Sequence, residues 1–274
     1  MKRYLSLGAG VQSSTVLLMS CVGELPKLDG AIFADTQWEP ASVYSHLAWL
    51  EEKAAGYGIP IYRISRGNIK ADALRTSVRG HVGDGGRAAS LPYFVKTPGQ
   101  DQEGMIRRQC TNEYKIEPIQ KKLRQLLGYK PRQIIPIGSV EQWLGISRDE
   151  IRRARLSQVR WIVHRYPLIF DVPMTRQQCL RWMQGHGFPQ PPRSACICCP
   201  FHSDAEWRQM RETQPAEFAE ACDFDEQIRE RDNLRGQVFL HRSCLPLRNV
   251  DLSTAEERGQ SSFWGQECQG MCGV

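Results

Sequence analysis

The sequence has no apolar run near the ~20 residues that a membrane-crossing helix requires, so no membrane partner is expected. Its basic opening, Met1-Lys2-Arg3, is followed by an apolar stretch that reaches glycine within a few residues. That is too short for the core of a secretion signal, and the expected location is the cytoplasm. There is no internal repeat and no low-complexity tract, which excludes solenoids and biased linkers. No Gly-Lys-Ser/Thr ends a glycine loop, so the nucleotide loop of the Walker type is missing, and so is Gly-x-Gly-x-x-Gly. The six histidines are dispersed, with no His-Glu-x-x-His motif and no Ser-His-Asp order.

What is present fits a soluble globular chain: 274 residues, 41% hydrophobic and 24% charged, enough for one large domain or a domain with an appendage. The net charge of +6 suits anionic partners such as nucleotides or nucleic acid. It is uneven, with Arg148, Arg152, Arg153, Arg155, Arg160 and Arg165 set against Asp149 and Glu150 in residues 148–165. Ten cysteines are many for a reducing compartment. They are read as buried apolar residues, metal ligands or redox thiols rather than disulfides.

The apolar pattern alternates between strand and helix. Residues 3–7, 30–36 and 59–64 read as strands, and 13–21 and 39–58 as helices. A fourth strand is expected at 133–140, and helices at 115–130 with Pro118 in the first turn, from Thr175 onward, and over 203–233. Arg148, Arg152 and Arg155 fall at helical spacing. The expected fold is α/β, a Rossmann-like parallel sheet with helices on both faces and a cysteine-containing C-terminal helical region. The expected division is a nucleotide-binding domain over 1–190, interrupted by an inserted loop at 65–104, and a cysteine-rich region over 191–274.

The most informative stretch is "SLGAGVQSSTVLL", residues 6–18. A glycine loop between the first strand and its helix lies at the carboxyl end of a parallel sheet, where such folds bind ligands. Gly8 and Gly10 let backbone N–H groups approach a phosphate, and the helix N-terminus favours negative charge. Ser6, Ser13, Ser14 and Thr15 offer hydroxyl donors. Asp35, at the end of the second strand, suits a ribose, a metal or a base edge. Arg148 and Arg152 suit phosphate oxygens. Cys196 and Cys199 form a Cys-x-x-Cys before Pro200, a spacing that serves a metal, a cluster or a redox pair. The remaining ligands would come from Cys110, Cys268, Cys272 or Cys198.

The glycine loop resembles the pyrophosphate-binding PP-loop of the adenine nucleotide alpha-hydrolase superfamily, and its Gly-Val-Gln form resembles the phosphoadenylyl-sulfate (PAPS) reductase branch. The lysine and aspartate common in that superfamily's loop are missing here. "FADTQWEPASVY", "KIEPI" and "YPLIFDVPMTRQQCLRWMQGHGFPQPP" resemble further segments of the branch, in the same order. The resemblance implies an adenine nucleotide, ATP or adenylyl sulfate with Mg²⁺, held by Ser6, Gly8, Gly10, Gln12, Ser13, Ser14, Asp35, Arg148 and Arg152. It implies a [4Fe–4S] cluster, or alternatively zinc, on Cys110, Cys196 and Cys199 with Cys272 as a candidate fourth ligand. Thr111 stands where that branch has a second cysteine. Lys115 and Asp35 are implied in catalysis, and Cys268, in "ECQGMC", resembles the mobile nucleophile of sulfonucleotide reductases. Cys272 has no counterpart in that tail. Three functions follow: ATP-dependent sulfur transfer to tRNA, DNA or another acceptor with a sulfur donor; reduction of (phospho)adenylyl sulfate through Cys268 and a thioredoxin-like carrier; or a non-catalytic zinc module binding nucleic acid.

Overall fold

The computed structural model describes residues 1–75, 90–97, 99, 103–230, 236–254 and 257. In chain order the first elements are β1 (Lys2–Leu7), α1 (Val11–Val22), β2 (Gly30–Asp35), α2 (Ala41–Ala55) and β3 (Ile61–Ser65). Next come α3 (Ile69–Arg75), β4 (Phe94–Lys96), β5 (Glu103–Met105) and α4 (Glu117–Leu126). They are followed by β6 (Val140–Leu144), β7 (Ile162–Arg165), α5 (Pro167–Phe170) and α6 (Arg176–Gly185). The last are α7 (Asp204–Thr213), α8 (Pro215–Gln227) and β8 (Gln237–Phe239). These elements form two compact units, each built from two separate stretches of chain.

The first unit comprises Met1–Arg66 and Tyr114–Ser194. Its five strands are all parallel and lie in the order β3-β2-β1-β6-β7. Successive side chains of a strand point to opposite faces. Leu5 and Leu7 of β1 and Ala31 and Phe33 of β2 therefore pack with α1, α2 and α6 through Val16, Leu17, Leu47, Leu50, Cys179 and Met183. Tyr4, Ile32 and Ala34 pack on the other face with Ile119 and Leu123 of α4. Both faces are covered, as a parallel sheet requires. The Rossmann-like α/β architecture expected from the sequence is the one observed.

Local chemistry explains the boundaries. Gly23 ends α1 in the left-handed conformation with φ 85°. Pro118 sits in the first turn of α4. Thr175 caps α6, its hydroxyl accepting from Gln178 N while Gln178 reaches back to the Thr175 N–H. Two expectations shift. The strand expected at 133–140 lies instead at Val140–Leu144, because Pro136 and the positive φ of Arg132 and Gly138 break the extended backbone. Ile134 and Ile137 are consequently left exposed. The arginine-rich stretch is a short 3-10 turn, Arg148–Arg153, and not a helix carrying Arg155. The backbone of Arg155 is taken by Tyr166 instead, whose OH receives its N–H and donates to its carbonyl.

The second unit comprises Gly67–Glu113 and Ala195–Val274. It holds a small antiparallel sheet, β5-β4-β8, with α3, α7 and α8. The expected helix over 203–233 is two helices, because Pro215 starts a new one after Gln214. Ser203 caps α7 through a box with Glu206. Asp225 is buried on α8 and organises the unit's C-terminal turns. Its carboxylate accepts from Leu240 N at 2.7 Å and Leu247 N at 3.0 Å and pairs with Arg229. Among the described residues no helix is long and apolar enough to cross a membrane.

Candidate functional site

In the first unit the chain turns one way from β1, to β2 and β3, and later the other way, to β6 and β7. The carboxyl ends of β1 and β6 therefore flank the topological switch point, where open parallel sheets bind ligands. The Gly8–Gly10 loop sits there. Ala9 adopts φ 55°, unusual for a residue with a Cβ. Gly10 begins α1 with no side-chain cap. Among the described residues, the five consecutive N–H groups of Ala9 to Ser13 donate to no backbone or side-chain acceptor. Consecutive N–H groups without acceptors at an uncapped helix start are the kind of donors that anions use.

The hydroxyls expected to help are turned elsewhere. Ser13 Oγ accepts from Gly8 N at 3.1 Å and faces the Gly10 carbonyl at 3.3 Å. Thr15 Oγ1 donates to Val11 O. Ser14 is fully buried with its Oγ 3.1 Å from His46 Nε2. Helix geometry turns these side chains toward the core or back onto the first turn, so the backbone supplies the donors. Ser6 lies on β1 and accepts from Gln142 Nε2 at 2.7 Å. Gln12 reaches to Glu150 Oε2 at 3.0 Å and to Ser147 Oγ at 3.4 Å. Glu150 also pairs with Arg153. Arg148 and Arg152 are exposed on the same 3-10 turn.

Two close approaches shape the loop, and sequence reading found neither. A Cβ on Gly145, just after β6, would lie 2.6 Å from Ser13 N. A Cβ on Gly8 or Gly10 would lie 3.2 or 3.0 Å from Ser194. The glycines thus admit the Pro191–Ser194 segment against the loop, besides freeing its N–H groups. Gly145 offered a signal only as the glycine that precedes the arginine-rich segment; Ser194 offered none.

At the end of β2, Asp35 Oδ1 accepts from Gln37 N at 2.7 Å and from Tyr44 OH at 2.8 Å. Burial, and then the hydrogen bond to Asp35, push the Tyr44 phenol up. Glu39 is buried, accepts from Thr36 Oγ1 at 3.1 Å and stands 3.6 Å from Lys115 Nζ. Lys115 itself lies in a π-helical turn, Asn112–Ile116, a backbone form that concentrates at functional sites. A buried carboxylate is costly unless paired, so Glu39 and Lys115 fix one another.

Burial lowers His46 to about 4, from the usual value near 6.5. The folded chain prefers its neutral ring, so stability is complete above about pH 6.5 and declines as pH falls toward 4. The full loss is on the order of 2–3 kcal/mol. Melting curves between pH 7 and pH 4 should show this decline, and His46→Gln should flatten it. An identical pH profile in the variant would remove His46 as the cause.

The cysteines fall into two groups. Burial pushes Cys21 to about 11, Cys179 to about 12 and Cys222 to about 11, so all three remain inert thiols at neutral pH. Cys110, Cys196 and Cys199 lie in the second unit, partly exposed. The Cys199 N–H bonds back to the Cys196 carbonyl at 3.0 Å, closing a turn around the Cys-x-x-Cys. Cys198, inside that turn, is fully buried. Among the described residues no group of three or more His, Cys, Asp or Glu side chains is placed to hold a metal ion. Cys268 and Cys272 lie outside the described residues. No protein-family model and no curated protein matches the sequence.

Proposed function

We propose that this chain binds an adenine nucleotide by its phosphates at the Ala9–Ser13 backbone and uses it in sulfur chemistry, transferring sulfur to a nucleic acid or another nucleophilic acceptor. The observation that carries the nucleotide half is the run of five N–H donors without acceptors at the switch point of the parallel sheet. The adenine half rests on the resemblance of "SLGAGVQSSTVLL", "FADTQWEP" and "KIEPI" to PP-loop segments of the PAPS reductase-like branch. The sulfur half rests on the Cys-x-x-Cys turn and on that same resemblance.

In this reading these N–H groups form a nest that holds the pyrophosphate, and Gln12, tied to Glu150, keeps the first turn of α1 beside the end of β6. Asp35, its Oδ1 fixed by Tyr44 and Gln37, presents its other oxygen to a ribose or a metal-bound phosphate. Lys115, steadied by Glu39, supplies a cation for charge developing on a departing group. Transfer of AMP from ATP to an acceptor oxygen would release pyrophosphate, and a sulfide-level sulfur from a donor would then attack the acceptor carbon, displacing AMP with that oxygen.

Titration calorimetry with ATP, adenylyl sulfate and pyrophosphate tests the reading. Binding of ATP with a dissociation constant of roughly micromolar to millimolar order is expected, with pyrophosphate in competition. Tighter binding of adenylyl sulfate than of ATP would move the function to sulfonucleotide reduction. Binding of neither nucleotide nor pyrophosphate would remove the nest as a phosphate site.

A further inference from the structure

The second unit carries a side-chain cluster that the nucleotide reading does not use. Asp204 opens α7, and His241 and Ser243 lie in the turn after β8. Asp204 Oδ1 is 3.0 Å from His241 Nε2, and Asp204 Oδ2 accepts from Arg242 Nη2 at 2.8 Å. On the other edge of the ring, His241 Nδ1 is 2.8 Å from Ser243 Oγ and accepts the Ser243 N–H at 3.1 Å. His241 and Asp204 are buried, while Ser243 is partly exposed.

The proton positions follow from the partners. A backbone N–H can only donate, so Nδ1 is the accepting nitrogen of the ring. Burial alone would raise the Asp204 carboxyl, but hydrogen bonds from His241 and Arg242 outweigh it and hold the group below its usual range. An ionised Asp204 can only accept, so Nε2 carries the proton. Both sides of the ring fix the same tautomer. The Ser243 hydroxyl, 2.8 Å from Nδ1, shares that nitrogen's one lone pair with the Ser243 N–H, on an imidazole oriented by a carboxylate. This is the signature of an activated nucleophile: hydroxyl, base and orienting group in successive hydrogen-bond reach. The nitrogens are used in the opposite sense to the familiar serine-protease triad, which is recognised by roles and not by position. Directly after Ser243, Cys244 is held at φ 48°, a left-handed backbone that is uncommon for any residue but glycine.

We propose that Ser243 is a nucleophile for esters or thioesters bearing an anionic group, with His241 as its general base and Asp204 as a positioning residue. Arg242, with its side chain 65% exposed beyond its contact with Asp204, recognises the anion. Ser243 Oγ attacks the carbonyl carbon while His241 Nδ1 takes the hydroxyl proton. The leaving alcohol or thiol departs with that proton as the acyl-serine forms. Water, deprotonated by His241, then cleaves the acyl-serine to acid and free serine. No oxidant, reductant or cofactor enters, and the assignment stands apart from the nucleotide site.

The test is labelling of the full chain with an alkyl fluorophosphonate, read by intact mass and peptide mapping. One adduct on Ser243 is expected in the native protein and none after unfolding in urea. Ser243→Ala should abolish it. His241→Ala should slow it about 100-fold or more, and Asp204→Asn, which preserves shape, should slow it as well. No adduct on Ser243 in native protein overturns the proposal. So does labelling of Asp204→Asn at the wild-type rate, an outcome readable even where His241→Ala fails to fold.

Discussion

On the proposed nucleotide reading, Gly145→Ala should cost at least tenfold in ATP affinity. The added methyl would stand 2.6 Å from Ser13 N, 2.7 Å from Ser13 Cα and 2.9 Å from Gln12 C. All three are backbone atoms of the first turn of α1, so no side chain can swing aside. Either that turn moves, spreading the N–H groups of the nest, or β6 moves away from β1, with which it pairs from Lys2↔Val140 to Ser6↔Leu144. Overpacking of this kind costs about 1–3 kcal/mol, and a nest depends on the convergence of its donors. Calorimetry and a melting curve on the same sample check both effects. Wild-type affinity with an unchanged melting temperature would show that the close approach of Gly145 to Ser13 is not a feature of the protein.

Asp225→Ala should be the most destabilising single change in the second unit, by about 3–5 kcal/mol, the range for breaking a buried ion pair from one side. The carboxylate is fully buried and gathers two backbone N–H groups and the Arg229 guanidinium. Without it those donors lose their acceptor, and Arg229, which also lies 3.8 Å above the Phe239 ring, keeps a partly buried charge with no anion. Asp225→Asn should cost less, since one oxygen survives, but it places an NH₂ where an acceptor is needed. Urea unfolding would measure the difference. A cost below 1 kcal/mol for alanine would mean that water enters and replaces the carboxylate.

The parallel sheet was legible where each strand spoke for itself. Leu5 and Leu7, or Ala31 and Phe33, alternate with residues for the opposite face, and the first run is closed by Gly8. Legibility failed where a polar residue is buried by a distant partner. Gln142 makes "VEQWL" look half-solvated, yet it is hidden through its bond to Ser6 on the neighbouring strand. "QIIPIG" looked the better strand because its isoleucines announce burial that Pro136 and Gly138 prevent. The site divides the same way. Gly8, Gly10 and Asp35 declare themselves by position after a strand. Gly145, Glu150 and Ser194 lie more than a hundred residues away, and only the order of the sheet brings them to the loop. Nor could spacing reveal that Ser14 turns inward to His46, since a first-turn hydroxyl can face solvent or core.

The pairing of β1 with β6 also sets a schedule for synthesis. Lys2 takes Val140 as its partner, so one edge of the central strand stays unpaired while the whole intervening chain is made. At ~5–20 residues per second, that interval lasts roughly 7–28 seconds on the ribosome. Throughout it the nascent chain carries a bare, apolar strand edge able to pair with any neighbour. Slower elongation lengthens that interval, so high-yield production should gain more from a chaperone that covers the edge than from changes to the finished protein's surface.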